Sequence, residues 1–137
     1  MMDFVLVDTS AWICFFIRRG FDDLKRTLST LIDEDRDVIS GPILLELIQE
    51  LQTSEMKETI KTLTRSIHRL LVYDDHWHKA LAMAFDLRRK GIGRSTINTL
   101  IAVLAVEYHC LLLHNDSHFD LIARHSSSSF FYNFSLN

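Results

Sequence analysis

The sequence predicts an α/β fold with a mostly parallel central sheet sandwiched by helices, and three observations carry the prediction. Short runs that read as strands, FVLVD (4–8), DVIS (37–40) and CLLLHND (110–116), each lead directly into a segment with helical spacing. That is the pattern of parallel strands joined by crossover helices. A chain of 137 residues with 47% hydrophobic content is sized for one core rather than two, so residues 1–137 are read as one domain. With only 4 Gly and 1 Pro, long irregular linkers are not expected.

Taken in order, FVLVD is a buried strand whose carboxyl end bears Asp8. TSAWICFFIRR (9–19) follows as a helix that Thr9 or Ser10 can cap and Gly20 stops. FDDLKRTLSTLID (21–33) sets apolar residues at 21, 24, 28, 31 and 32, close to one helical stripe, with Asp22 and Asp23 where the helix dipole favours acids. After DVIS, Gly41-Pro42 turns the chain into the apolar helix ILLELIQEL (43–51), with Glu46 in its middle. Residues 54–68 are polar and helical, as in an outer hairpin, and RLLVY (69–73) reads as extended chain. A longer helix runs from Asp75 to Lys90 and is terminated by Gly91 and Gly93. STINTLIAVLAVEYH (95–109) is an apolar helix that Asn98 can cap. The strand CLLLHND, the short helix SHFDLIARH (117–125), a loop at SSSS (126–129) and a last strand FFYNF (130–134) complete the chain.

Composition narrows the function. A net charge of -3 and a pI near 6.1 argue against holding nucleic acid through a broad basic surface. Clusters such as Arg88, Arg89 and Lys90 beside Arg94 leave room for a local patch, although solvated helix faces and helix ends are the better account of any one of them. No early segment has the form of a secretory leader, and no run reaches the roughly 20 apolar residues that span a bilayer. A cytoplasmic protein without a membrane partner is expected. Cys14 and Cys110 lie in apolar runs, AWICFFI and HCLLL, as buried reduced thiols do.

Ligands of open parallel sheets collect at the carboxyl ends of the strands. Asp8 and Asp116 close two strands there, and Glu46 lies one turn into a helix that starts at the same edge, among Leu44, Leu45, Leu47 and Ile48. A single acid in such company is ordinarily paired with an Arg or caps a neighbouring helix. Three converging acids raise one another's pKa and repel, and such a cluster calls for a cation. Oxygen ligands select Mg²⁺, with Mn²⁺ as the alternative, over zinc.

The runs VDTSAW (7–12), LLELI (44–48), INTLIAVLA (97–105) and LLLHNDSHFDLIA (111–123), taken in series, resemble the PIN domain, and specifically the VapC-type toxin ribonucleases. The resemblance covers nearly the whole chain. It implies a single PIN-like domain, Mg²⁺-dependent cleavage of RNA phosphodiesters to a 5′-phosphate and a 3′-hydroxyl, a homodimer, and a VapB-type antitoxin that blocks the site. Asp8 matches the first family acid, Glu46 the second and Asp116 the last. By this likeness Asp8 and Asp116 hold the principal ion, Glu46 contributes directly or through water, and a metal-bound water attacks phosphorus; an Arg or Lys near the site, such as Arg94, is expected to steady phosphate oxygens.

The third family acid falls where this chain has Asn98. The exchange keeps a carbonyl oxygen, removes a negative charge and brings an NH₂ donor, so metal affinity is expected to fall. Two accounts fit: an aspartate replaced deliberately so that a toxic ribonuclease could be produced, or a native Asn98. A native Asn98 would belong to a one-ion enzyme or to a catalytically inactive module that binds a protein or RNA partner. A second departure is His114, where many members carry Thr or Ser; Thr9 or Ser10 can supply a hydroxyl instead.

Two other chemistries fare worse. His76 and His78 in DHWH suggest zinc, but residues two apart on a helix do not face each other. A receiver domain needs adjacent early acids, an Asp ending a middle strand and a Lys ending a later one, whereas DVIS ends in Ser40 and CLLLHND has no Lys. Trp12, Ile13, Phe15 and Phe16 give the first helix more apolar surface than one stripe buries. The excess suits a groove for an antitoxin segment or a homodimer seam.

Overall fold

The structure, a computed structural model, describes residues 3–50, 52–93 and 96–125 and the backbone of 133–135. Its elements are β1 (Val5–Val7), α1 (Thr9–Phe16), α2 (Asp22–Asp33), β2 (Asp37–Ser40), α3 (Gly41–Glu50), α4 (Ser54–Ser66) and β3 (His68–Leu70). They continue with α5 (Asp74–Arg89), α6 (Thr96–Glu107), β4 (Leu111–His114), α7 (Ser117–His125) and β5 (Asn133–Ser135). The strands form one sheet in the order β3-β2-β1-β4-β5, and every pair is parallel. Val5, Leu6 and Val7 are all fully buried. Successive strand residues point to opposite faces, so both faces of β1 are covered, as an α/β sandwich requires.

The chain lays β2 and β3 to one side of β1 and then crosses to the other side for β4 and β5. The order of winding therefore reverses between β1 and β4. At such a switch point the connections leave in opposite directions and open a crevice beyond the strand ends. Asp8 follows β1 and Asp116 lies two residues past β4, both at this crevice.

Several boundaries differ from the sequence reading, each for a local reason. The first helix ends at Phe16, where Ile17 turns extended and its N–H closes the last bond to the Ile13 carbonyl. Arg18 and Arg19 fall outside it, and Gly20 turns the chain afterwards at φ 92° rather than stopping the helix. Pro42 sits inside the first turn of α3, where a missing N–H costs nothing. β3 starts at His68, one residue earlier than expected, and ends at Leu70, because Tyr73 serves as the N-cap of α5. Gly91, at φ 81°, ends α5 as expected, and the Ile92 N–H reaches back to the Leu87 carbonyl at 2.8 Å. The SSSS loop and residues 130–132 of the expected last strand lie outside the described residues.

Trp12 is fully buried, stacked on Phe16 and edge-on to Phe15, so much of the apolar surface of α1 belongs to the core. Cys14 and Cys110 are buried free thiols, and burial pushes the Cys110 thiol up to about 11. The two histidines of DHWH point to different surroundings, as their spacing on a helix implies. His76 Nδ1 accepts the Tyr73 backbone N–H at 3.0 Å as part of the α5 cap, and its ring packs between Tyr73 and Tyr108 while His78 is exposed. Among the described residues no helix is long and apolar enough to cross a membrane.

Candidate active site

Asp8 is the N-cap of α1 and is 3% exposed. Its Oδ2 accepts the Ser10 hydroxyl at 2.6 Å and the Ser10 backbone N–H at 3.0 Å, while its buried Oδ1 has no hydrogen-bond partner. Burial raises the Asp8 carboxyl above its ordinary value; the Ser10 bonds oppose the rise, and the nearby Asp116 charge adds to it.

Asp116 occupies the equivalent place ahead of α7. Its Oδ1 accepts the His118 backbone N–H at 2.9 Å, and its carbonyl accepts the Phe119 N–H. Both acids thus stand at helix N-termini, where the dipole favours negative charge. The local capping role and a shared role at the crevice are compatible, because capping consumes only part of each carboxylate's acceptor capacity.

Two short links tie the segments together. The Ser10 hydroxyl donates to Asp8 and accepts the Asn115 backbone N–H at 2.9 Å, bridging the ends of β1 and β4. The Thr9 hydroxyl donates to Glu46 Oε1 at 3.1 Å, drawing α3 to the same place. Burial raises the Glu46 carboxyl as well, opposed by the Thr9 bond and reinforced by the charges of Asp8, Glu50 and Asp116. The hydroxyls sought in the sequence are therefore present, and each is already held by one of the acids. Replacing Ser10 by Ala removes a donor from a buried carboxylate and an acceptor from a backbone N–H. It should cost about 1–3 kcal/mol, read as a fall in Tm; an unchanged Tm would mean that the bridge is not formed.

Asn98 is not a helix cap. It lies in the first turn of α6, 7% exposed, and its Nδ2 donates to Asp116 Oδ2 at 3.0 Å. The capping expectation fails because α6 starts at Thr96, and the inward direction of residue 98 is set by how α6 packs rather than by local sequence. His114 ends β4 fully buried against Phe119, with Nδ1 accepting the Asp116 backbone N–H at 3.2 Å. Its Nε2 has no hydrogen-bond partner and stands 3.9 Å from Asp120, and burial lowers its pKa. A neutral imidazole here shapes the loop carrying Asp116, a role that the composition of HND did not reveal. Arg94 lies outside the described residues.

The donor set suits a hard divalent cation. Asp8 Oδ1 is an anionic oxygen left without a partner, and the acids nearby are hard oxygen ligands. Among the described residues no group of three His, Cys, Asp or Glu side chains is arranged to hold a metal ion. Mg²⁺ keeps several of its waters and is commonly bound through only one or two carboxylates. The Asn98 amide supplies to Asp116 a donor that a carboxylate at that position could not.

The PIN domain family model matches residues 5–125. Ribonuclease VapC11 of Mycobacterium tuberculosis is 30% identical over 125 residues, covering 88% of this chain and 92% of that protein. Among solved structures, one similar chain is in VapBC2 from Rickettsia felis bound to a DNA fragment from its promoter. It has a TM-score of 0.75 and 16% identity, covering 98% of this chain and 99% of that one. A chain of DNA-bound VapBC from Salmonella typhimurium gives a TM-score of 0.75 and 18% identity, covering 98% of each chain.

Proposed function

This chain belongs to the PIN domain family, within its VapC group, and from that premise we propose that it is an endoribonuclease toxin dependent on a divalent metal, impaired by Asn98. What supports the reading is the set of hydrogen bonds that ties the segments bearing Asp8, Glu46 and Asp116 together: Thr9 to Glu46, Ser10 to both Asp8 and the Asn115 backbone, and Asn98 to Asp116. Asp8 and Asp116 would hold Mg²⁺, or Mn²⁺ in its place, with Glu46 acting through water. When bound, such an ion polarises a phosphoryl oxygen and lowers the pKa of water.

The rest of the work falls to this chain's own groups. Ser10 fixes the Asp8 carboxylate, and the Phe119 and His118 backbone bonds fix Asp116. The N-termini of α1 and α7 present positive potential toward a phosphate in the crevice. Glu46, whose carboxyl is raised by burial, is suited to accept a proton from attacking water.

The proposed partners are RNA, a second copy of the chain and a VapB-type antitoxin. For the antitoxin, α1, α3 and α4 form a groove of about 310 Å³ lined by Ile13, Phe16, Ile17, Leu47, Glu50 and Met56. A catalytically inactive binding module is the second reading, and the Asn98–Asp116 hydrogen bond favours it, since it satisfies Asp116 without a cation.

Cleavage of total cellular RNA by this chain and by Asn98→Asp, each with Mg²⁺ and with EDTA, tests the choice. Discrete Mg²⁺-dependent cuts by Asn98→Asp, with this chain slower or silent, support the disabled ribonuclease. No cleavage by either folded protein favours the binding module.

A further inference from the structure

Beside the acid crevice, α5, α6 and α7 border a cavity of about 170 Å³ whose lining includes Ala84, Leu87, Arg88, Ile92, Thr99 and His118. It adjoins the candidate active site. Thr99 follows Asn98, and His118 stands two residues past Asp116, so each lies at most about 8 Å, Cα to Cα, from one of the two residues joined by the Asn98–Asp116 hydrogen bond. The His118 backbone N–H also donates to Asp116 Oδ1. The segments that hold Asp116 in place therefore supply two walls of the cavity.

The chemistry of the lining narrows the ligand. Ala84, Leu87 and Ile92 make an apolar wall, and among the described residues the lining contains no carboxylate. Arg88 is exposed and forms no ion pair among the described residues. A Cβ at Gly93 would come within 3.0 Å of Arg88 Cδ, so the bare backbone there leaves room for the Arg88 stem. His118 Nδ1 is buried without a hydrogen-bond partner, and buried polar atoms ordinarily have one. The volume is well below the roughly 300–1,000 Å³ of pockets that take drug-sized molecules. It suits one flat ring system rather than a whole nucleotide or a peptide segment.

An unstacked RNA base has the matching properties, with apolar faces that stack on His or Arg planes and a polar edge that hydrogen-bonds. A guanidinium donates and cannot accept. The lining therefore favours guanine and uracil, whose edges carry carbonyl oxygens, over adenine and cytosine, whose amino groups need acceptors. We propose that this cavity is a base subsite, taking a guanine or uracil next to the phosphate that is cut. Arg88 donates to the base carbonyl, and His118 Nδ1 meets a polar atom of the base edge. The proposal rests on the RNA-cleaving function proposed above and adds which bases the site selects.

The test titrates the parent protein in EDTA with GMP, UMP, AMP, CMP and ribose 5-phosphate, following backbone amide signals by NMR, and repeats this for Arg88→Lys and Ala84→Leu. Signals of Leu87, Thr99 and His118 should move with GMP and UMP, which bind at least about fivefold tighter than AMP, CMP and the sugar phosphate. Arg88→Lys keeps the charge and loses the planar fork, so the preference should shrink while weak phosphate binding persists. Ala84→Leu fills the wall and should weaken every nucleotide to the level of ribose 5-phosphate, in a protein whose amide spectrum shows it folded. Equal binding of all five probes, tighter binding of AMP or CMP, or no response at about 10 mM overturns the proposal. So does an unchanged preference in Arg88→Lys or an unchanged affinity in Ala84→Leu. RNA cleavage by Asn98→Asp is read separately. Cuts without base-selective binding overturn the subsite alone; base-selective binding without cuts overturns the nuclease reading and leaves the subsite to an RNA-binding module.

Discussion

Asn98→Asp should convert a silent or slow protein into one that cuts RNA at discrete sites with Mg²⁺, with a gain of roughly a hundredfold or more. The size follows from what the amide now does. Its Nδ2 donates to Asp116 Oδ2 at 3.0 Å, so one ligand-type oxygen is engaged by a neutral donor and the crevice carries one negative charge fewer. Restoring a carboxylate there improves cation binding and the field on the reacting phosphate, effects commonly worth several kcal/mol, with about 1.4 kcal/mol for each tenfold in rate.

The same change has a readout that does not depend on activity. Without a cation, Asn98→Asp loses a hydrogen bond and sets two carboxylates face to face, so the metal-free variant should melt lower than the parent. Added Mg²⁺ should raise its Tm by more than it raises the parent's, because a ligand that binds only the folded state stabilises it. Equal Mg²⁺ responses in the two proteins, together with no cleavage, would remove Asn98 from the ion site.

In the Asn98→Asp background, Asp8→Asn should abolish the restored cleavage, by on the order of a thousandfold, while the protein stays folded. Asn is as good an N-cap as Asp, and its carbonyl can still accept the two Ser10 bonds. The pH dependence separates a ligand from a mere cap. Burial raises the Asp8 carboxyl in the folded state, so around and above the ordinary carboxylate range the folded chain without metal holds this proton more tightly than the unfolded chain. Stability then falls as pH rises through that window, and the full cost is reached above the raised folded value.

Asp8→Asn removes this contribution. Its stability relative to the parent should therefore improve as pH rises from the ordinary carboxylate range to neutrality, measured by denaturant unfolding in EDTA. The comparison between the two proteins removes the part of the His114 contribution that burial causes, which acts in the opposite direction; the part supplied by the Asp8 charge is lost with that charge. A flat difference across the window would mean that Asp8 is not buried as a charge, and retained cleavage would remove it from the site.

The sequence by itself determined the strand–helix alternation, the parallel class of the sheet and the placement of Asp8 and Asp116 at strand ends. Those features follow from period and punctuation over a few residues, and β1, β2, β4 and α7 appear where FVLVD, DVIS, CLLLHND and SHFDLIARH placed them, to within a few residues. The four segments in series were also enough to point to the PIN family.

Tertiary structure decided the rest. Asn98 looked like a cap because Asn before an apolar run often is one, yet the docking of α6 carries its side chain to Asp116. Trp12, one of several apolar residues on α1 of which the sequence could not say which are core, is buried. The links that assemble the candidate site span long stretches of chain: Thr9 to Glu46 across 37 residues and Ser10 to Asn115 across 105. Local propensity acts between neighbours in sequence and carries no information about which side chains meet after such separations. Those meetings are fixed by the strand order β3-β2-β1-β4-β5, which brings the ends of β1 and β4 together.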